Sequence, residues 1–318
     1  MTTSFITHPD CLKHDMGSGH PESPVRLSAI LKELQSFGLH EQLDHWKAPL
    51  ASEEELLRVH TPQYLEELLE IRVGEDERYS LDGDTSLNRH SLAAARYASG
   101  AVVLAVDQVM RAEADNAFCA VRPPGHHALP HRAMGFCIFN SVAVGAAHAL
   151  EAWELERIAI CDFDVHYGNG TADMFAKDER VLLCQTFQHP FYPYQGGDAC
   201  NPNMINVGLK SGSGSLKFQE AIEQHWIPAL NAFKPQMILI SAGFDAHHDD
   251  PLGGLDLWET DYAFVTRLLM EVAQTHAEGR VISTLEGGYN PAALGRSVAA
   301  HLIELLKAPL NTHLKLQG

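Results

Sequence analysis

Residues 157–166 read RIAICDFDVH, an apolar run that closes on Asp162, Asp164 and His166 at every second position. Its short, nearly unbroken hydrophobicity suits a strand covered on both faces, as in a parallel sheet. Five more segments share this character: SFIT at 4–7, NAFCAV at 116–121, VLLCQTF at 181–187, QMILISA at 236–242 and RVISTL at 280–285. Helical patterns lie between them, at 24–37, 88–113, 138–152, 215–231, 259–277 and 292–307. Strands alternating with helices predict an α/β protein with one open parallel β-sheet, flanked by helices and joined by right-handed crossovers. No repeat, low-complexity linker or composition break divides residues 1–318, so a single domain is expected.

The composition narrows the function. Hydrophobic residues make up 45% and charged residues 20%, and 23 Lys and Arg face 41 Asp and Glu for a formal charge of -18. Such a surface repels phosphate backbones, so no nucleic-acid partner is expected, whereas cationic substrates are tolerated. No run of about 18 apolar residues is present to cross a bilayer, and MTTSFITHPD at the N-terminus has no signal-peptide pattern. No membrane partner is expected. Cys11, Cys119, Cys137, Cys161, Cys184 and Cys200 form no CxxC pair, and most sit in apolar runs. Reduced buried thiols and a cytoplasmic location follow. The sequence leaves a homo-oligomer open.

The polar motifs share one position. RPPGHH (122–127) follows the strand at 116–121, and DFDVH (162–166) closes the strand at 157–163. SAGFDAHHDD (241–250) follows QMILI, and LEGGY (285–289) follows RVIST. Sites in open α/β sheets form beyond the carboxyl ends of strands, so these four loops should converge into an active site. Alternate side chains of an extended chain share a face, so Asp164 and His166 can grip one ion together. Asp245, from another strand end, supplies a third ligand. Two carboxylates and an imidazole leave a position open, as a catalytic Zn²⁺ requires. Fe²⁺ is compatible with the same oxygen-rich set.

RPPGHH, DFDVHYGNGT (162–171), SAGFDAHHDDPLGG (241–254) and LEGGYN (285–290) resemble the signatures of the histone deacetylase and acetylpolyamine amidohydrolase superfamily. They stand in that superfamily's order, and the likeness runs from GHPESPVRL (19–27) to about residue 300, closer to its class II and bacterial branch. The resemblance implies the arginase/deacetylase-like fold and hydrolysis of an N-acyl amide, with one Zn²⁺ per chain held by Asp164, His166 and Asp245. It implies that His126 and His127 handle protons, with His126 oriented by Asp162 and His127 by Asn169. Tyr289 then polarises the scissile carbonyl. A carboxylate raises an imidazole pKa more than an amide does, which makes His127 the general base and keeps His126 more cationic. Gly287 and Gly288 let the tyrosine segment bend toward the site.

Phe136 in MGFCIFN (134–140) and Tyr192 in HPFYPY (189–194) match the aromatic pair that lines that superfamily's acyl-lysine tunnel. Asp84 in LDGDTS (81–86) resembles its rim aspartate, Gly135 lends backbone near the acetyl group, and Arg26 matches an internal-channel arginine. The chain also departs from the pattern. Tyr167 stands where a second histidine is usual, and Gln185 and Phe187 replace a Ser-Thr-His segment that helps bind a structural K⁺. That cation site is therefore in doubt. Tyr194 replaces a glycine and is expected to narrow the tunnel mouth. The implied substrate is an acylated amine, either an acetyl-lysine peptide, an acetylpolyamine or another small acylamide. Two other readings are a non-catalytic zinc-containing acyl-lysine binder and an arginase-like ureohydrolase, the latter drawing on His247 and His248 for a second metal.

Overall fold

The computed structural model describes residues 2–196 and 201–306, so Cys200 and the expected last helical residue, Lys307, lie outside the described residues. The main sheet has eight strands: β1 (Thr3–Thr7), β2 (Asp44–Lys47), β5 (Asn116–Cys119), β6 (Ile158–Asp162), β7 (Val181–Gln188), β8 (Met204–Leu209), β9 (Met237–Ala242) and β10 (Val281–Leu285). Their order is β2-β1-β5-β10-β9-β6-β7-β8, and every pairing is parallel. A hairpin of β3 (Tyr79–Ser80) and β4 (Ser86–Leu87) stands apart. The open parallel α/β sheet is as the sequence predicts, and all six predicted strands are present.

The predicted helices form as α1 (Val25–Ser36), α4 (Ser91–Met110), α5 (Ser141–Ala152), α9 (Glu259–His276) and α10 (Pro291–Leu306). The segment predicted at 215–231 is interrupted: α7 (Ser215–Ala221) widens into a π turn at Ile222–Trp226 before α8 (Ile227–Phe233). Pro228 lacks the N–H that an unbroken α-helix would need there. Three short helices lie outside the predicted segments: α2 (Glu53–Leu57), α3 (Pro62–Glu70) and α6 (Asn169–Phe175). Side chains cap α2 and α3 but not α6. The Ser52 hydroxyl accepts from the Glu55 N–H at 3.2 Å while the Glu55 carboxylate accepts from the Ser52 N–H at 2.7 Å. Edge strand β2, DHWK, is exposed along its whole length and shows no apolar pattern.

Strands β5, β6, β9 and β10 are buried at every residue, and they are the four central neighbours, β5-β10-β9-β6. Because the sheet is parallel, all four release their chains at the same end. The four motif loops leave side by side from the middle of the sheet.

Two buried histidines tie this core to pH. Burial takes the His60 imidazole down to about 4; it faces the Leu129 carbonyl at 3.1 Å and accepts from the Asn140 N–H at 3.0 Å. Burial takes His301 down to about 3, between the hydroxyls of Thr266 and Ser283 at 2.6 and 2.9 Å. Both folded values lie below the unfolded one. The unfolded chain therefore binds the extra protons, and stability is lost as pH falls through about 6.5. Each histidine should cost roughly 2 kcal/mol at pH 5. We expect His60→Gln to lose less melting temperature than the wild type between pH 7 and pH 5, measured by thermal melts. Equal losses would remove His60 from the account.

Candidate active site

Asp164, His166 and Asp245 offer one ligand atom each within 4.8 Å of one another. The His166 Nδ1 lies 2.9 Å from Asp164 Oδ1 and 3.2 Å from Asp245 Oδ2. Backbone amides fix both carboxylates: the Gly287 N–H donates to Asp164 Oδ2 at 2.9 Å, and the Val165 N–H to Asp245 Oδ1 at 2.8 Å. Asp245 Oδ2 is buried without a hydrogen bond, which a cation would satisfy. Burial, then Asp164, pushes Asp245 up to about 7. His166 is pulled toward neutrality by burial but raised to about 10 by the two carboxylates, so the cluster calls for positive charge. The cradle tolerates no side chain: a Cβ at Gly287 would lie 2.0 Å from Asp245 Oδ2, and one at Gly243 would lie 2.1 Å from Asp164 Oδ2.

The tandem histidines lie beside this cluster with unlike partners. His126 Nδ1 is 2.9 Å from Asp162 Oδ2, whereas His127 Nδ1 is 2.7 Å from Asn169 Oδ1. Burial opposes charge on both rings. At His126, Asp162 and Asp164 overcome that penalty and hold the imidazole well above its ordinary value. At His127, burial and the neighbouring His126 and His166 charges drive it well below. One ring is built to keep a proton and the other to lack one.

Tyr289 stands on the last of the four loops, with its ring beneath the Arg26 guanidinium, 4.9 Å from the ring centre. Gly288 reaches it through φ +118, a backbone region closed to ordinary side chains. A cavity of about 540 Å³ leads from solvent to this cluster, lined by Asp84, His127, Gly135, Phe136, His166, Phe191, Tyr192, Leu252 and Tyr289 among others. Phe136 meets Tyr289 edge-on at 5.8 Å, and Tyr192 meets His127 edge-on at 5.2 Å. Gly135 sits at φ +56, where a Cβ would lie 2.6 Å from the His127 ring. Asp84 is exposed at the rim. Asp84, His127, Gly135, Phe136, His166, Tyr192 and Tyr289 thus line one cavity, and His126, Asp162, Asp164, Asn169 and Asp245 lie in the cluster beneath it.

Comparison with known proteins shows the family of the chain. The histone deacetylase domain pattern matches residues 20–305. The chain belongs to the histone deacetylase family. It is 35% identical to a histone deacetylase-like amidohydrolase of Pseudomonas aeruginosa, over 94% of this chain and 82% of that one. It is 36% identical to a probable deacetylase of Archaeoglobus fulgidus, over 91% and 82% of the two chains. Its fold superposes on the crystal structure of the HDA15 HD domain with a TM-score of 0.89 at 31% identity, covering 96% of this chain and 90% of that chain. Histone deacetylase-family proteins are hydrolases and generally metal-dependent, and the Asp164–His166–Asp245 cluster fits such an ion.

Within this histone deacetylase-family chain the structure also brings in residues that sequence reasoning left without a role. Glu286, inside the LEGGY motif, accepts from the Gly125 and His126 N–H groups at 2.6 and 3.1 Å and so supports the tandem-histidine turn. Glu22 pairs with both Arg26 and Arg122 in a buried network behind Tyr289. Phe191 stacks on His166 at 5.4 Å. Asp250 binds the Tyr289 segment. Each lies within a quoted motif, but only tertiary contacts show what it touches.

The departures fall into place unevenly. The Gln185 carbonyl accepts from the Gly168 N–H at 2.8 Å, and its amide donates to Asn206 at 3.2 Å. The Tyr167 hydroxyl lies against the same two side-chain amides, so Tyr167 and Gln185 form one polar group. Phe187 is buried edge-on against the Tyr167 ring at 4.9 Å. Tyr194 corrects an expectation: it does not line the cavity. It sits at φ +62 and is 79% exposed. His247 and His248 likewise face away from the cluster. His247 is buried 3.4 Å from Glu259, and His248 pairs with Asp256 and stacks on Trp258. Neither adds a second metal position.

Proposed function

We propose that this chain hydrolyses an N-acyl amide, most naturally the acetyl amide of an acetyl-lysine or a small acylated amine, with one Zn²⁺ held by Asp164, His166 and Asp245. Fe²⁺ is compatible with the same ligands. The observation that carries this reading is the pair of adjacent imidazoles with unlike partners, His126 on the Asp162 carboxylate and His127 on the Asn169 amide, at the foot of an aromatic-walled cavity beside the Asp164–His166–Asp245 cluster. When bound, the ion supplies a Lewis acid and lowers the pKa of its water. His127, neutral, takes the proton of the attacking water as its oxygen bonds to the carbonyl carbon. The Tyr289 hydroxyl donates to the developing oxyanion; burial keeps its phenol well above the ordinary value, so it stays a donor. As the C–N bond breaks, a cationic imidazole gives its proton to the departing amine. His126, held cationic by Asp162, maintains the positive charge beside it.

Phe136 and Tyr192 suit an aliphatic arm, and Asp84 meets a cationic or peptide portion at the rim. Residues 1–318 act in this reading as one domain. A cytoplasmic setting accords with Cys11, Cys119, Cys137, Cys161 and Cys184, all buried and unpaired. No helix among the described residues is long and apolar enough to cross a membrane.

Acetate release from an acetyl-lysine peptide and from N-acetylputrescine, measured side by side, tests the proposal. Release should vanish on chelation and return on adding Zn²⁺, and the better substrate separates protein from polyamine work. Release that survives full removal of the metal would exclude it.

A further inference from the structure

We propose that Asp250 is a positioning residue that sets the Tyr289 hydroxyl through the backbone. The segment 286–290 leaves β10 at Leu285 and delivers the tyrosine to the cavity floor, tied to the neighbouring chain by the Glu286 N–H on the Ala242 oxygen at 2.9 Å and the Phe244 N–H on the Gly287 oxygen at 3.0 Å. Side chains hold its other peptide groups from two sides. On the carbonyl side, Arg26 Nε donates to the Gly288 oxygen at 2.6 Å, and Arg26 also donates to the Glu286 oxygen. On the amide side, one oxygen of Asp250 accepts from the N–H groups of Tyr289 and Asn290 at 2.6 and 3.1 Å. Asp250 is 6% exposed, so water cannot replace it without opening the loop.

Its second oxygen faces elsewhere. Asp250 Oδ1 accepts from the Leu252 N–H at 2.9 Å, and Pro251 and Leu252 form one wall of the cavity. A single buried carboxylate thus joins the wall that meets the substrate arm to the residue that meets the carbonyl. A shift of one ångström at a preorganised donor costs much of its effect, and Gly288, at φ +118, offers the loop little resistance to such a shift. An asparagine cannot serve all three N–H groups. Whichever way its amide is turned, an NH₂ faces a backbone donor.

The inference rests on the deacylation reading, and wild-type turnover checks that reading first. The test is a double-mutant cycle between Asp250→Asn and Tyr289→Phe, with bound zinc and melting temperature measured on every variant. We expect Asp250→Asn to lower kcat by roughly 10- to 100-fold with KM and zinc content nearly unchanged, and Asp250→Glu to retain an intermediate rate. In the Tyr289→Phe background the same substitution should cost less than about twofold. Losses that multiply in the double variant would overturn the proposal, as would an undiminished kcat in Asp250→Asn. Failure of both Asp250 variants to fold would also overturn it, since it would assign the residue to the fold. An inactive wild type would instead count against the deacylation reading.

Discussion

Replacing Asp245 with alanine should abolish acetate release, by more than ~10³-fold, and remove bound zinc, while leaving the metal-free protein at least as stable as the metal-free wild type. Asp245 and Asp164 are both buried, with the His166 imidazole between them and His126 3.8 Å from Asp164. Burial and the Asp164 charge push Asp245 up to about 7, above its unfolded value. The folded chain therefore holds that proton more tightly, and this group's contribution to stability is lost as pH rises from about 4 to 7. Above that window the metal-free wild type keeps a carboxylate that the fold disfavours, and alanine relieves it. Zinc should then raise the melting temperature of the wild type and not of Asp245→Ala. Elemental analysis, thermal melts with and without zinc, and the acetate assay read the three outcomes. A variant that keeps its zinc and its rate would remove Asp245 from the ligand set.

Tyr289→Phe is the second large effect, expected at about 10²- to 10³-fold in kcat. The substitution deletes one hydroxyl and leaves the ring, so the edge contact with Phe136 and the Arg26 guanidinium above it remain. KM and zinc content should therefore change little. The hydroxyl acts on charge that develops in the transition state, which is why the loss belongs to kcat. The same variant separates catalysis from recognition. A non-catalytic acyl-lysine binder would keep its affinity for an acetyl-lysine peptide and have no rate to lose. Calorimetric titration beside the acetate assay distinguishes the two.

The sequence by itself determined the fold class and where the polar residues would gather, for a physical reason. A strand buried on both faces must be apolar throughout, so RIAICDF and QMILISA announce themselves, and polar residues can gather only where the strands stop. His126, Asp164, Asp245 and Tyr289 all follow such stops. What the sequence could not express is any quantity that depends on strands meeting across the sheet. The order β5-β10-β9-β6 makes four loops into one site, and no local pattern encodes that order. Edge strand β2 stayed hidden because its exposed face needs no apolar residues. Tyr194 misled because its exposure, 79%, depends on how its loop packs and not on its identity. The roles of Glu286 and Asp250 were invisible for a related reason. A carboxylate in a motif looks the same whether it faces solvent, an ion or a backbone N–H, and only the tertiary structure decides which partner it finds.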